Sequence, residues 1–164
     1  MVRQTRMQAN YIDISSGDTP SWAFCGAGFK TLNEQPSAQT KSRRYKCDKS
    51  ASKSITGYDW STPFEIDQIR TQEAVNYIVN IGELQLTGEE AETDFLIVDL
   101  DKPISGENNT FYARKFHVAV EVSSFDDDDG ELTGSGNLLG IGDPVVGKFN
   151  VKTLTYTADT TAEG

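Results

Sequence analysis

Between Phe111 and Phe125 apolar and polar residues alternate, with Phe116, Val118, Val120 and Val122 on one face and Lys115, His117, Ala119, Glu121 and Ser123 on the other. A period of two is the signature of a strand with one buried face, because successive side chains leave a strand on opposite sides. Four consecutive aspartates and a glycine follow, Asp126–Gly130, and Glu131–Gly136 reads as the returning strand. An isolated two-stranded hairpin is marginal in water, so this one needs further strands or a helix on its apolar face.

The rest of the chain supplies them. Ser21–Cys25, Arg44–Cys47, Phe64–Arg70, Phe95–Leu100 and Lys148–Tyr156 read as further strands, and a short one is expected near Tyr11–Ile14. Phe29–Ser42 reads as turn and loop, Asp48–Thr62 as an exposed loop, and Gly140–Gly147 as a Gly/Pro turn. Tyr58 and Trp60 are large aromatics to leave in water without a reason. Only one segment changes period. Ala74, Val75, Ile78, Val79 and Ile81 form an apolar helical stripe, with Thr71 as the expected N-cap, Glu73 in the first turn and Gly82 or Gly88 at the end. The expected fold is mainly β: an antiparallel sandwich or barrel flanked by one α-helix. Residues 1–19 are expected as an N-terminal arm, 20–157 as the β domain and 158–164 as a disordered tail.

The chain has 164 residues and a formal charge of −10, and the charge is uneven. Residues 1–60 carry nine basic and five acidic side chains, a net +4, and the remaining 104 carry six and twenty, a net −14. Such a split places one basic and one acidic surface on each copy, and opposite patches steer head-to-tail contact. The alternative is scattered, solvated charge. Six bases lie between Lys41 and Lys53, at Lys41, Arg43, Arg44, Lys46, Lys49 and Lys53. Against a chain of −10 they fit an acidic partner better than nucleic acid, whose binding needs a cationic face. No run approaches the roughly 18 apolar residues of a membrane span.

Catalytic signatures are absent from the sequence. The single histidine, His117, removes the usual triads and His-rich zinc sites, and no enzyme activity or cofactor is expected. The glycines of Gly136–Gly142 are followed by a proline and a strand rather than a helix, so they read as bends and not as a phosphate cradle. Asp126, Asp127, Asp128 and Asp129 admit three readings: a solvated turn, an electrostatic surface, or a calcium site. Contiguous aspartates in a strand turn point to different sides, unlike the alternate spacing of calcium loops. Cys25 and Cys47 are expected as thiols.

The order of features carries a resemblance. Phe24-Cys-Gly-Ala-Gly-Phe-Lys-Thr-Leu-Asn-Glu34 leads into Tyr45-Lys-Cys-Asp-Lys-Ser50 and Ile55-Thr-Gly-Tyr58, then Phe64–Asp67 and an apolar helix. Thr93–Leu100, the Ala113–Val122 strand and Gly142-Asp-Pro-Val-Val-Gly-Lys-Phe149 follow. Over roughly residues 20–157 this resembles the tail tube proteins of phages infecting Gram-positive bacteria, and of related bacteriocins and contractile injection particles.

The resemblance implies a subunit of the virion tail, assembled in the host bacterial cytoplasm. Six copies would form a ring whose hairpins join into a β-barrel around a channel, and rings would stack into a tube. The implied partners are further copies of the chain, the tape-measure protein, and a tail sheath and tail terminator where the particle has them. DNA would pass through without specific binding, and no membrane is involved. On this reading Lys115, His117 and Glu121 are candidates to line the lumen. Asp126–Asp129 would lie in the channel or at a ring edge, and the Lys41–Lys53 bases would touch the next ring. The alternatives are a carbohydrate-binding, adhesion or virion-decoration β-sandwich using Trp22, Tyr58 and Trp60, and a small calcium-dependent β-domain.

Overall fold

The computed structural model describes residues 2–15, 19–47 and 49–158. The expected tail at 159–164 lies outside them, and Ala158 ends a strand. Among the described residues, ten strands and one α-helix follow one another as β1 (Gln8–Asp13), β2 (Trp22–Phe24), β3 (Phe29–Leu32), β4 (Ala38–Arg43), β5 (Ser52–Tyr58), β6 (Ser61–Asp67), α1 (Glu73–Glu83), β7 (Glu92–Pro103), β8 (Thr110–Asp128), β9 (Glu131–Asn150) and β10 (Thr155–Ala158). Eight strands form one antiparallel sheet, ordered β2-β1-β7-β8-β9-β6-β3, with β10 also on β9. The sheet curls into a half-barrel. The mainly β class with one helix is therefore what the structure has.

The curl follows from the apolar pattern. Ile12 of β1, Ala23 of β2, Phe95 and Ile97 of β7, Phe116, Val118 and Val120 of β8, Leu138 of β9 and Phe64 and Ile66 of β6 join one cluster with α1. Residues from strands far apart in the sheet meet the same helix, so the sheet must wrap round it. α1 buries Ala74, Val75, Ile78, Val79 and Ile81, the predicted stripe. Each of the larger side chains contributes about 1.5–3 kcal/mol by leaving water. A second cluster lies on the opposite face, where Ala9, Tyr11, Trp22, Leu96, Val98, Ala113 and Phe149 meet. Tyr11 and Phe149 sit three strands apart in the order, yet their ring centroids are 4.7 Å apart.

Several expectations are corrected. The helix N-cap is Gln72, in extended conformation and without a side-chain cap, rather than Thr71. The helix runs through Gly82 and stops in a Schellman arrangement: Leu86 N–H donates to Ile81 C=O and Gln85 N–H to Gly82 C=O, with Gln85 at φ 51°. Gly82 is there for packing, since a Cβ would lie 2.6 Å from Phe125 Cζ. The expected loops over Phe29–Ser42 and Asp48–Thr62 hold strands β3, β4, β5 and the start of β6. Arg44–Cys47 is not a strand but part of the β4–β5 turn region. The Gly140–Gly147 turn is a bulge within one continuous strand. Lys115 pairs with Val145 and His117 with Ile141, so Gly142, Asp143 and Pro144 bow out of the ladder. The last strand breaks after Asn150 and returns as β10. The short strand expected near Tyr11–Ile14 is β1, which starts earlier, at Gln8, and pairs with both β2 and β7.

Candidate functional site

Because Phe95, Phe116, Val118, Leu138 and Phe64 face α1, the residues alternating with them face the other way. On that helix-free face register sets Asp94 opposite His117, Glu92 opposite Ala119, and Asn137 opposite Glu121. Lys115, His117 and Glu121, the three candidate lumen residues, therefore do share one face. His117 and Glu121 are exposed and Lys115 is half-buried. Glu65 alternates with Phe64 and Ile66 and lies on the same side.

The charges on this face hold one another in place. His117 Nδ1 is 3.0 Å from Asp94 Oδ1, and Nε2 is 3.5 Å from Glu92 Oε2. The bond to Asp94 raises the His117 pKa from its ordinary 6.5; partial burial opposes this and Glu92 adds to it. Glu121 accepts from Ser123 Oγ at 3.2 Å and Asn137 Nδ2 at 3.3 Å. Lys115 Nζ lies 5.2 Å over the ring of Tyr156, a cation–π contact. Asp67 and Lys30, which alternate with Ile66 and Phe29 and lie 3.1 Å apart, share this side, so Glu65, Asp67, Glu92, Asp94 and Glu121 stand here with Lys30, Lys115 and His117, and acids outnumber bases. Glu92 and Asp94 are not among the residues that the sequence reading places at the site. Their alternation with Thr93 and Phe95 is the signal for them, but the expected strand starts only at Phe95.

The acidic hairpin end is narrower than the sequence implied. β8 runs through Asp128, and the turn is Asp129–Gly130 alone, with φ of 53° and 89°. Positive φ at both central residues fits the right-handed twist of a two-residue hairpin. The aspartates have separate local contacts. Asp126 accepts from Ser124 Oγ at 3.0 Å, Asp127 from the Gly130 N–H at 2.8 Å, and Asp128 lies 3.6 Å from Lys30 Nζ. Among the described residues no group of three or more Asp, Glu, His or Cys is placed to hold a metal ion.

The six bases lie on or beside the β4–β5 hairpin, which is a two-stranded sheet of its own. Lys41 and Arg43 belong to β4 and Lys53 to β5, while Arg44, Lys46 and Lys49 lie in the connection. All six are exposed. The hairpin joins the main sheet at the Ser61 end of β6, three residues after Tyr58. The acidic turn lies beyond the other end of β6, where Asp67 pairs with Thr133. Seven strand residues, roughly 20 Å, separate those ends. The structure keeps the two charged regions apart within a single copy.

A cleft of about 510 Å³ opens at the hairpin root, lined by Tyr58, Trp60, Arg114, Phe116 and Pro144 among others. Trp60 is no exposed platform: its ring stacks on Phe116 at 4.2 Å and 13°, and its Nε1–H donates to Glu34 at 2.7 Å. Arg114 grips the same carboxylate with two bonds, 3.0 and 3.2 Å. Trp22 is buried in the second cluster. Of the three aromatics offered for sugar stacking, only Tyr58 is exposed, at 65 %. Cys25 is a buried thiol, its pKa pushed up by burial.

Two edges of the main sheet end in short strands, β2 and β3. Each presents backbone N–H and C=O groups on its outer side. Among the described residues, no helix is long and apolar enough to cross a membrane. Neither the models of known protein families nor the curated proteins match this sequence.

Proposed function

We propose that the protein is a structural subunit of a phage or phage-tail-like tail tube, closing hexameric rings around a bore. The observation that carries this reading is a half-barrel with two strand edges and a helix-free face that carries charge at one end and the second apolar cluster at the other. A curled sheet that stops short of closure leaves main-chain groups for further strands, and neighbours in a ring satisfy them without exposing a new edge. A face on which acids outnumber bases suits a bore, because cationic contacts would hold the duplex by its phosphates. Its occupants would be the tape-measure protein during assembly and DNA during ejection. Sheath and terminator would bind the outside and end of the tube. The protein acts by shape and charge in the virion tail and needs no catalytic group.

The cleft with Tyr58 at its mouth favours a second reading, a carbohydrate-binding or virion-decoration domain. Negative-stain electron microscopy of concentrated protein separates the two. Six-fold rings or tubes with an open bore support the first. A monodisperse monomer that fails to form them with a tail initiator complex, yet binds glycans, establishes the second.

A further inference from the structure

The β4–β5 hairpin concentrates positive charge. Residues 38–58 contain six basic side chains and one acidic one, whereas Asp126–Glu131 holds five acids and no base. Both regions are exposed, and each lies at the end of a two-stranded projection. Every residue of β4 is exposed, and in β5 only Gly57 is not. Among the described residues, nothing packs extensively on either face of that hairpin. An apolar core does not hold it out there. Its sequence, rich in Ser, Thr and Lys, is built to stay wet until something opposite in charge arrives.

We infer that the basic β4–β5 hairpin of one copy docks on the acidic β8–β9 hairpin end of a second copy. The chain itself supplies the complement. Two regions of similar and opposite charge, at opposite ends of β6, cannot neutralise each other within one copy, but copies aligned head to tail bring them together. Such a contact is heterologous: each copy has one donor and one acceptor end, so it propagates instead of closing as a dimer. Lys41 and Arg43 alternate with Ser42 and share one face of the hairpin, and Lys53 stands opposite Ser42 on the other. The hairpin therefore presents bases on both sides and can lie between acidic ends. The occupant's own Lys30 already binds Asp67 at 3.1 Å and lies near Asp128, which leaves Asp126, Asp127, Asp129 and Glu131 for the incoming bases. Exposed charge pairs act at short range and are screened by salt, so this contact sets polarity and on-rate more than raw affinity. The inference rests on the tube reading for its meaning, as the axial joint between rings, but not for its test.

Cys47, exposed in the hairpin connection, offers the probe. Wild-type protein is mixed with a variant carrying Glu131→Cys and Cys47→Ser, then mildly oxidised. Cys25 is buried and stays out of the reaction. The expected product is a mixed disulfide between wild-type Cys47 and the cysteine introduced at position 131. It should form at least about tenfold more slowly near 1 M salt, where the Debye length is about 3 Å. Arg43→Glu with Lys46→Glu on the wild-type partner should abolish it, and Asp126→Lys with Asp127→Lys on the other should restore it. Unchanged circular dichroism of each variant shows that the fold persists. A missing adduct, or one indifferent to salt and charge reversal, overturns the inference. Six-fold rings without the adduct leave the tube reading standing and sink this joint; adduct-linked chains without rings do the reverse.

Discussion

His117 and Asp94 face each other across β7 and β8, with Nδ1 3.0 Å from Oδ1, so the protein's single histidine is held by a carboxylate in its native state. Its pKa is raised by that bond, and by Glu92, over its unfolded value. The stabilisation is therefore fully present below about pH 6.5 and fades as pH rises through the raised pKa. With the side chain 47 % exposed, solvent screens the pair and the effect stays below about 1 kcal/mol. NMR titration should give a His117 midpoint above 6.5, and Asp94→Asn should move it down. The melting temperature should fall slightly between pH 6 and 8 in the wild type, and less so in that variant.

Glu34 receives Trp60 and both terminal nitrogens of Arg114 on one carboxylate. Glu34→Ala leaves a partly buried guanidinium and an indole N–H without that acceptor, and should cost about 1–3 kcal/mol in urea unfolding. Glu34→Gln, which can still accept from Trp60, should cost less. Equal losses would show that the charge carries the whole contribution, and a neutral Glu34→Gln would show that it contributes nothing.

Gly136 lies where β9 passes the β8 irregularity between Val122 and Ser124. A Cβ there would stand only 1.9 Å from the Glu121 carbonyl oxygen, so Gly136→Ala forces the backbone apart. The expected loss is about 1–3 kcal/mol or more. Gly57, where an added methyl would meet nothing within 4 Å, is the control. Gly57→Ala should be neutral or stabilising by up to about 1 kcal/mol, through the unfolded chain.

Replacing Asp126, Asp127, Asp128 and Asp129 by Asn removes four like charges from one exposed hairpin end. An Asn oxygen can still accept the Gly130 N–H that Asp127 holds. Thermal melting should be unchanged or slightly higher, and added calcium should not shift the wild type, because the carboxylates are turned to separate partners. A calcium-dependent rise in melting temperature would show that they converge in solution.

Strand faces were legible wherever one side of a strand had to be dry. Phe116, Val118 and Val120 fall where alternation placed them, and so does the α1 stripe, because burial writes its period into the residues. β4 and β5 were not legible. Both are wet on both sides, so Ser, Thr and Lys carry no period, and only cross-strand pairing makes them strands. The Gly142-Asp-Pro144 signal was real but ambiguous: the same residues that end a strand also let one bow out of register and continue. Trp22 and Trp60 show the matching limit for the site. Their aromatic surface was visible in the chain, while its direction, inward on Phe149 for one and on Phe116 for the other, was not.

The amino-acid order alone determined a β-rich chain with one amphipathic helix, a long hairpin ending in acid, and a basic segment well separated from it. Those are local properties of period, turn chemistry and charge. Tertiary structure decided that His117, Glu121, Glu92 and Asp94 share a face, that the sheet stops as an open half-barrel, and that the two charged hairpins occupy opposite ends of β6. These depend on register between strands distant in sequence, and a one-residue slip in that register would have turned every one of those side chains to the other side.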